Sequence, residues 1–531
     1  MIINRLCLCF MKNKTPGLVI SLFAFFLILL INNSSGQILG YHKIQLDPNG
    51  KILPWFSSDP GESYDHVVRL VWKFWINMET CPNGVPYYLQ HQVWKPEHDP
   101  RGLGGDQISM ALSSWDLLHS YLGNDSVLSN MVLIADFWLN NGLSPASYKW
   151  PFMPFPYNSD VHSGKYDGDM RAGPDVIQPD KAASFAAELL TLYKKTLQPK
   201  YLNAAIKIAD VLVAKITPGD EENSPWPFRV NARTGELPQN AFSKYTANWT
   251  GALRLFDGLV QLHTPNSANY KNAFNMLSAW IKNFPLKNNK WGPFFEDITD
   301  WSNTEINADT MAWYILENPN WDPNWKKLGR QILDWTLSTF GTNKWLDIGV
   351  IPIQEQTAYR VPGNSHTARH ASVELIYSEK TGDLAKKDMA IRQLNWATYM
   401  VDTDGKNRYP QDDIWLTDGY GDYVRHYLRA MAAAPELAPK NQNHLLKSSS
   451  VIQKVVYSQN QIVITTFDKS GYLLLHVTQK PSSILAGSNK LKECLSSESI
   501  QNNGFVFNHK NDPKGTLRIK YTNSNQVKIN F

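Results

Sequence analysis

The stretch Lys165–Thr196 reads KYDGDMRAGPDVIQPDKAASFAAELLTLYKKT. Its first half is rich in acids, glycine and proline, which is typical of a loop. Its second half has small residues early and apolar residues late, at the three- and four-residue spacing of a helix. Asp180 stands at the junction, where a helix N-cap is expected. An acid-rich loop that leads into a helix N-terminus is one way to place polar groups on a rigid element.

The same order of long loop, helix, tight turn and second helix recurs between 63 and 434 with a period of roughly 60 residues. The first helix of a unit, as in 180–196, has small and apolar residues on most faces, whereas the second, as in 200–216, is amphipathic. The first helix is therefore expected to be buried on several sides and the second to lie outside it. Twelve helices are predicted, beginning near Tyr64, Asp106, Ser126, Asp180, Lys200, Thr246, Asn269, Thr304, Asn324, Ser365, Leu384 and Gly419.

Six helix pairs can close into a ring, which predicts a mainly α fold, an (α/α)6 toroid. Closure requires that the first helix be the outer partner of the last one. The long loops and the N-termini of the six inner helices would then share one face. An open α-solenoid is the alternative architecture.

The composition changes after Pro435. Short alternating runs such as VIQKVVY, QIVITTF and TLRIKYT are separated by Asn, Gly, Lys and Ser, which predicts a small antiparallel β-sandwich. The predicted organisation is a signal peptide over 1–36, a toroid over 37–440 and a β-sandwich over 441–531.

The N-terminus has the features of an export signal. Lys12 and Lys14 precede the apolar run Leu18–Ile31, and a small, polar stretch follows it. The run is short for a bilayer span, so it predicts a cleaved signal peptide and a secreted or periplasmic protein without stable membrane association. An uncleaved anchor is the alternative. The net charge of +4 is dispersed, so no nucleic-acid partner is expected. Cys81 and Cys494 are predicted to be separate thiols.

The alternating helices and the C-terminal β segment resemble the six-hairpin glycosidase superfamily, and most closely glycoside hydrolase families 88 and 105. Asp106 (GGDQISMALSSWDLLHSYLG) and Asp180 (QPDKAASFAAELLTLYKKT) match positions at the starts of successive inner helices where those families carry Asp residues. The resemblance implies a toroidal enzyme that hydrolyses unsaturated uronides. The extra acids at 167, 169 and 175 depart from that pattern, and a toroid followed by a β-sandwich resembles the polysaccharide lyases instead.

Four residues are candidates for catalysis: Asp106, Asp180, Asp169 and Tyr420. Glycoside hydrolysis uses a proton donor and a second carboxylate. A carboxyl group at a helix N-terminus needs a nearby carboxylate or apolar packing to raise its pKa, and Asp169, Asp175 and Asp180 are expected to crowd together for that purpose. A plain helix cap is the alternative for Asp106 and Asp180, whereas Asp169 and Asp175 are individually better explained as solvated loop acids.

Candidate substrate-binding residues lie in the long loops and at the starts of inner helices. Flat indole faces suit sugar rings, and Arg369 offers a fork for a carboxylate. Loop anchoring and interhelical ion pairing are the structural alternatives. The candidates are Asp175, Trp150, Trp291, Glu305, His366, Arg369, Asp418 and Trp415.

No metal site or cofactor is predicted. His366 and His370 share a helix face, but no third ligand is evident. The segment Asp402–Asp413 partly resembles a calcium loop, yet Lys406 stands where a ligand belongs, so calcium is only an alternative.

These features predict an enzyme that acts on a carbohydrate partner. The favoured reaction is hydrolysis of an acidic, uronate-containing oligo- or polysaccharide by carboxylate acid/base catalysis. A polysaccharide lyase with a Tyr or His base is the enzymatic alternative. A non-catalytic glycan-binding toroid is the other, because a fold does not fix a reaction.

Overall fold

The computed structural model describes residues 37–81, 84–90, 105–157, 165–169, 171–295, 298–407, 420–496, 499–500, 502–510 and 512–531. The predicted signal peptide over 1–36 lies outside them. Among the described helices, none is both long enough and apolar enough to cross a bilayer. The sulfhydryls of Cys81 and Cys494 are free, as predicted.

Twelve long helices lie between 60 and 433 in the described part of the chain, each beginning within about four residues of its predicted start. Six are inner helices: α2 (Gly105–Leu122), α4 (Pro179–Thr196), α6 (Thr250–Gln261), α8 (Glu305–Glu317), α10 (Asn364–Thr381) and α12 (Tyr420–Ala433). Six are outer helices: α1 (Pro60–Ile76), α3 (Asp125–Asn141), α5 (Pro199–Lys215), α7 (Ser267–Asn283), α9 (Trp325–Phe340) and α11 (Lys387–Thr398).

The inner helices form a closed ring. Each one packs against the next, and the last, α12, packs against the first, α2. The Ser114 hydroxyl of α2 donates to the Gly421 carbonyl of α12, and Arg425 donates to Ser113 at 2.9 Å. The outer helix α1 lies beside α12, where the rings of Tyr64 and Tyr427 are 5.0 Å apart. Ring closure through the first and last helices is therefore confirmed, and the open solenoid is not observed.

Burial separates the inner helices from the outer ones. Every residue of α10 from Asn364 to Ser378 is buried, whereas α5 buries only five side chains along one stripe. Glycines allow two pairs of neighbouring inner helices, α4 with α6 and α2 with α12, to pack especially close together. A Cβ at Gly251 would stand 2.6 Å from Cα of Ser184, and one at Gly421 would stand 2.6 Å from Cα of Ala111. Small residues on the inner helices therefore set the distance between neighbouring helices.

The C-terminal part consists of antiparallel strands, as predicted. Five strands pair in the order Ile452–Tyr457, Gln461–Thr466, Gln526–Asn530, Ser483–Ala486 and Asn489–Lys490. Four more pair in the order Gly504–Phe507, Thr516–Tyr521, Gly471–His476 and His444–Ser448. Alternate residues of both sheets join one apolar cluster that includes Ile464, Leu475 and Ile529.

This C-terminal part packs against the C-terminal ends of the inner helices. The His444 ring stacks on Tyr121 at 3.8 Å, and the Tyr457 hydroxyl donates to the Ser120 carbonyl at 2.8 Å. Lys447 reaches Glu317 of α8 at 3.1 Å. The strands therefore cover the end of the ring that lies opposite the N-termini of the inner helices.

Candidate active site

A cavity of about 60 Å³ lies between the inner helices near their N-terminal ends. Its polar lining comes from five of these helices and one loop, and includes Ser109, Lys181, Ser184, Glu188, Asn248, Arg254, Thr310 and Arg425. Three of these side chains are cationic and one, Glu188, is a carboxylate among the lining residues that the structure describes. The face on which the inner helices begin is thus a polar site on a rigid ring.

Asp180 is fully buried beside this cavity. Its Oδ2 accepts from Lys181 Nζ at 3.0 Å and from Asn248 Nδ2 at 2.8 Å, while Oδ1 has no hydrogen-bond partner among the described residues. The expectation that Asp180 is the N-cap of its helix is wrong. Helix α4 begins one residue earlier, at Pro179, and its N-cap position is Gln178. Asp180 lies inside the first turn, and its carboxylate bonds Asn248 of the loop before α6 rather than capping its own helix.

The acids of the preceding loop do not crowd around Asp180. Asp169 closes a tight turn by accepting from the backbone of Arg171 and Ala172, both at 2.9 Å. Its other oxygen accepts from Gln178 at 2.6 Å and from Arg229 at 3.1 Å.

Asp175 likewise has its own partners. Arg233 lies 2.9 Å away and the Tyr148 hydroxyl donates to it at 2.8 Å. Asp169, Asp175 and Asp180 therefore do not form the expected carboxylate cluster, since each of the three pairs with its own cation. The geometry favours loop anchoring for Asp169 and Asp175 over direct chemistry.

A buried network of alternating charges joins the starts of α8, α10 and α12. Glu305 bonds both His366 and Arg369, and Arg369 also bonds Asp422. Asp422 in turn accepts from Arg425, which lines the cavity. Arg369 thus has a carboxylate on each side, in the interhelical ion pairing that was the structural alternative, and its role in binding a substrate carboxylate stays a prediction.

Burial and charge shift the protonation of this network. Burial raises the pKa of Glu305, although Arg369 and His366 oppose the change. Burial alone would lower the pKa of His366, but the Glu305 and Glu355 carboxylates outweigh it and raise the pKa to about 9. Burial would raise the pKa of Asp422, but its cationic neighbours hold it well below the usual range. The Glu305 and Glu355 carboxylates therefore stabilise the protonated form of His366.

A second histidine–carboxylate pair lies one helical turn further along. His370 Nδ1 is 3.0 Å from Asp309 Oδ2, and its Nε2 is 3.7 Å from Glu374. Arg330 completes this arm with bonds of 2.8 and 2.6 Å to Glu374. The predicted common face of His366 and His370 is present, and it packs against the acids of α8.

Two of the predicted tryptophan platforms, Trp150 and Trp291, are buried in the core. Trp150 is 5% exposed and Trp291 is 0% exposed, so neither indole offers a face to a sugar. Their predicted stacking role is replaced by packing within the main apolar cluster.

The side chains of four candidates lie outside the described residues. Asp106 and Tyr420 lie in the first turns of α2 and α12, and their side chains are outside the described residues. Trp415 and Asp418 fall wholly outside them. The roles assigned to these four residues stay predictions.

Several cavity residues were not singled out from the sequence. Glu188 and Arg254 form an ion pair of 2.6 Å at the floor of the cavity, and Lys181 and Asn248 hold Asp180 at its wall. The sequence did contain a signal for Glu188. It follows Asp180 and Ser184 at four-residue spacing, and this places all three on one face of a helix that is otherwise mostly apolar.

Within the described residues, no group of three or more His, Cys, Asp or Glu side chains is arranged to hold a metal ion. The partial calcium-loop segment extends beyond the described residues, so the calcium alternative stays a prediction.

Comparison with known proteins bears on the fold. No protein-family model matches the sequence, and no curated protein matches it. A sugar epimerase from a ruminal bacterium superimposes with a TM-score of 0.53 at 12% identity, over 70% of this chain and 98% of that chain. Cellobiose 2-epimerase from Bacillus thermoamylovorans gives 0.52 at 14% identity, over 70% and 98%. A D-mannose isomerase gives 0.53 at 9% identity, over 71% and 99%. The chain therefore shares the (α/α)6 toroid fold of these structures.

Proposed function

We propose that the chain is a carbohydrate-active enzyme, a glycoside hydrolase that acts on an acidic, uronate-containing oligo- or polysaccharide. The observation that carries the proposal is the state of Asp180. Its carboxylate is buried beside the cavity, with one oxygen held by Lys181 and Asn248 and the other without a partner in the described chain. A buried acceptor without a hydrogen-bond partner costs free energy. Such a group is expected where its free oxygen serves a reaction, as in a catalytic carboxylate.

Asp106 is the proposed partner of Asp180. It lies in the first turn of α2, the ring neighbour of α4, so both residues begin helices at the same end of the toroid. In this reaction one carboxyl group protonates the glycosidic oxygen and the other acts on water or on the anomeric carbon.

The cationic lining supports an acidic substrate. Lys181, Arg254 and Arg425 reach the cavity from three different helices. Arginine and lysine side chains bind carboxylates through charge-assisted hydrogen bonds. The names of the similar structures, which act on cellobiose or mannose, agree with a sugar as the ligand class.

The experiment is a product analysis with saturated and unsaturated uronide oligosaccharides. Hydrolysis adds one water per bond cleaved, as seen by mass spectrometry, and cleavage of an unsaturated uronide also removes its ultraviolet absorbance. A lyase instead generates that absorbance without taking up water, and a binding module changes neither. Full activity in both Asp180→Asn and Asp106→Asn would exclude these carboxylates from the chemistry.

A second candidate is sugar epimerisation or isomerisation. It is favoured by the two histidine–carboxylate pairs on α8 and α10, His366 with Glu305 and His370 with Asp309, because proton transfer next to a carbonyl needs such groups. Incubation of free disaccharides in D2O tests it. Deuterium at a sugar carbon without bond cleavage would support this candidate and contradict hydrolysis.

The proposal also includes export of the protein by the segment 1–36. It further includes packing of the two C-terminal sheets as a sandwich. The shared apolar cluster of the two sheets supports the sandwich. Detection of the mature chain outside the cytoplasm, with a new N-terminus near residue 37, tests export.

A further inference from the structure

Three arginines approach the axis of the toroid below the proposed catalytic carboxylates. Arg254 of α6 and Arg425 of α12 both line the cavity. One turn further along α12, the Arg429 guanidinium lies 4.2 Å from the centre of the Trp313 ring, and that of Arg254 lies 5.8 Å from the same ring. The three cations therefore share a small volume around the axis.

Two of these arginines have carboxylate partners and the third does not. Arg254 bonds Glu188 at 2.6 Å, and Arg425 bonds Asp422. Arg429 makes no ion pair or hydrogen bond within the described residues, and its contact there is the Trp313 ring. Burial, together with repulsion from Arg425 and Arg254, lowers the pKa of Arg429 to about 9. Arg429 therefore has no direct counter-ion among the described residues, although Asp422 and Glu188 act on its charge from a greater distance.

The cavity wall also presents donors without acceptors. Ser109 is 7% exposed, it lines the cavity, and its hydroxyl has no partner among the described residues. The Nε of Arg425 is likewise buried without a partner in that set. Unpaired buried donors are costly, and a small acceptor with negative charge would satisfy both.

The size of the cavity limits the ligand. Its volume is about 60 Å³, and a water molecule takes up about 30 Å³ of liquid. We propose that this cavity binds one small monovalent anion of halide or carboxylate size, with Ser109 and Arg425 donating to it and with Arg254 and Arg429 supplying the charge. The anion is either a free halide or the carboxylate of an acidic sugar, which share a single negative charge and good acceptor atoms. This inference does not rest on the proposed hydrolysis, because anion binding is measurable without turnover.

The test compares the full chain in sodium chloride and in sodium isethionate, a bulkier monovalent anion, at equal ionic strength. We expect a higher melting temperature in chloride, because a ligand that binds only the folded state stabilises it. Crystals soaked in sodium bromide should show an anomalous peak within hydrogen-bond distance of Ser109 and Arg425. Sodium glucuronate separates the sources: if it raises the melting temperature and displaces bromide, the site accepts a sugar carboxylate, whereas an effect of chloride alone assigns a free halide.

Variants tie the effect to these residues. Arg429→Met should raise the melting temperature in isethionate and remove the response to chloride, whereas Arg429→Lys should keep both the charge and the response. Ser109→Ala should weaken chloride binding about tenfold through the loss of one hydrogen bond. Arg171→Gln removes an exposed arginine and should leave the response unchanged. Equal melting temperatures of the wild type in the two salts, or a chloride response that survives in Arg429→Met, would overturn the proposal, whatever the enzyme assays show.

Discussion

Asn248 donates a hydrogen bond of 2.8 Å to Oδ2 of Asp180, so a loop residue before α6 orients a carboxylate of α4. The same oxygen accepts from Lys181, and the two donors leave Oδ1 without a partner in the described chain. The orientation of this carboxylate is therefore fixed by one donor from its own helix, α4, and one from the loop before the next inner helix, α6.

Asp180→Asn should reduce kcat/KM on the uronide substrate at least about 100-fold, because a neutral amide cannot transfer a proton. It should also lower the melting temperature, since Lys181 loses its buried counter-charge. The matched control is Asp125→Asn, an exposed acid in the first turn of the outer helix α3. A similar loss of activity in both variants would indicate a structural effect rather than a catalytic one.

The sequence predicted the twelve helices and their ring because long amphipathic and buried helices have a strong periodic signal. It also placed Glu305, His366 and Arg369 at helix starts on the correct face. It did not predict their partners, since ion pairs between helices 60 residues apart depend on the rotation of each helix about its axis. For the same reason, the sequence predicts Asp169 to belong to a carboxylate cluster, whereas in the structure Arg229, which lies 60 positions later, neutralises it. The sequence also predicts sugar-binding faces for tryptophans in the long loops, but Trp150 and Trp291 are buried in the main apolar cluster.

The pair formed by His366 and Glu305 should make stability depend on pH in the alkaline range. The pKa of His366 is raised from 6.5 to about 9 on folding, so its contribution is fully present below about pH 6.5 and is lost as the pH rises through about 9. The shift corresponds to about 3 kcal/mol. His366→Gln should therefore be strongly destabilised at pH 6, and its deficit relative to the wild type should shrink by pH 9.5.

Urea unfolding at several pH values measures this deficit. His509→Gln in the C-terminal part serves as a control, and its curve should run parallel to that of the wild type. A deficit of His366→Gln that stays constant between pH 6 and 9.5 would show that His366 is neutral in the folded protein.

Close packing of the inner helices should make Gly251 intolerant of a side chain. A methyl group there would stand 2.4 Å from the Ser184 hydroxyl and 2.6 Å from its Cα, so the backbones of α4 and α6 must separate. Gly251→Ala should cost about 1–3 kcal/mol in the free energy of unfolding. Gly258→Ala is the matched change in the same helix, where the new atom would meet only the movable end of Leu190 at 3.0 Å. Equal effects in urea unfolding would mean that helix propensity, not the contact with Ser184, governs both sites.

Lys195 links the ring to the C-terminal sheets from a fully buried position. Its Nζ is 2.7 Å from the Ile452 carbonyl, 2.9 Å from Asp116 and 3.1 Å from His119 Nδ1. Lys195→Met fills the space but removes the hydrogen bond to the edge of strand 452–457. A hydrogen bond from a charged donor contributes about 1.5–3 kcal/mol, so local opening of this strand should become roughly ten- to a hundredfold more frequent, because about 1.4 kcal/mol corresponds to a factor of ten.

Amide hydrogen exchange of the strand Ile452–Tyr457, followed by mass spectrometry, reports this opening directly. Lys194→Met is the control, because the ammonium group of Lys194 lies over the Phe467 ring at 5.8 Å and not at the strand carbonyl. If both variants exchange as slowly as the wild type, the sheets are held by apolar contacts such as the stacking of His444 on Tyr121. If only Lys195→Met exchanges faster, while the ring helices keep their protection, the buried ammonium group is the link that seats the strands on the end of the toroid.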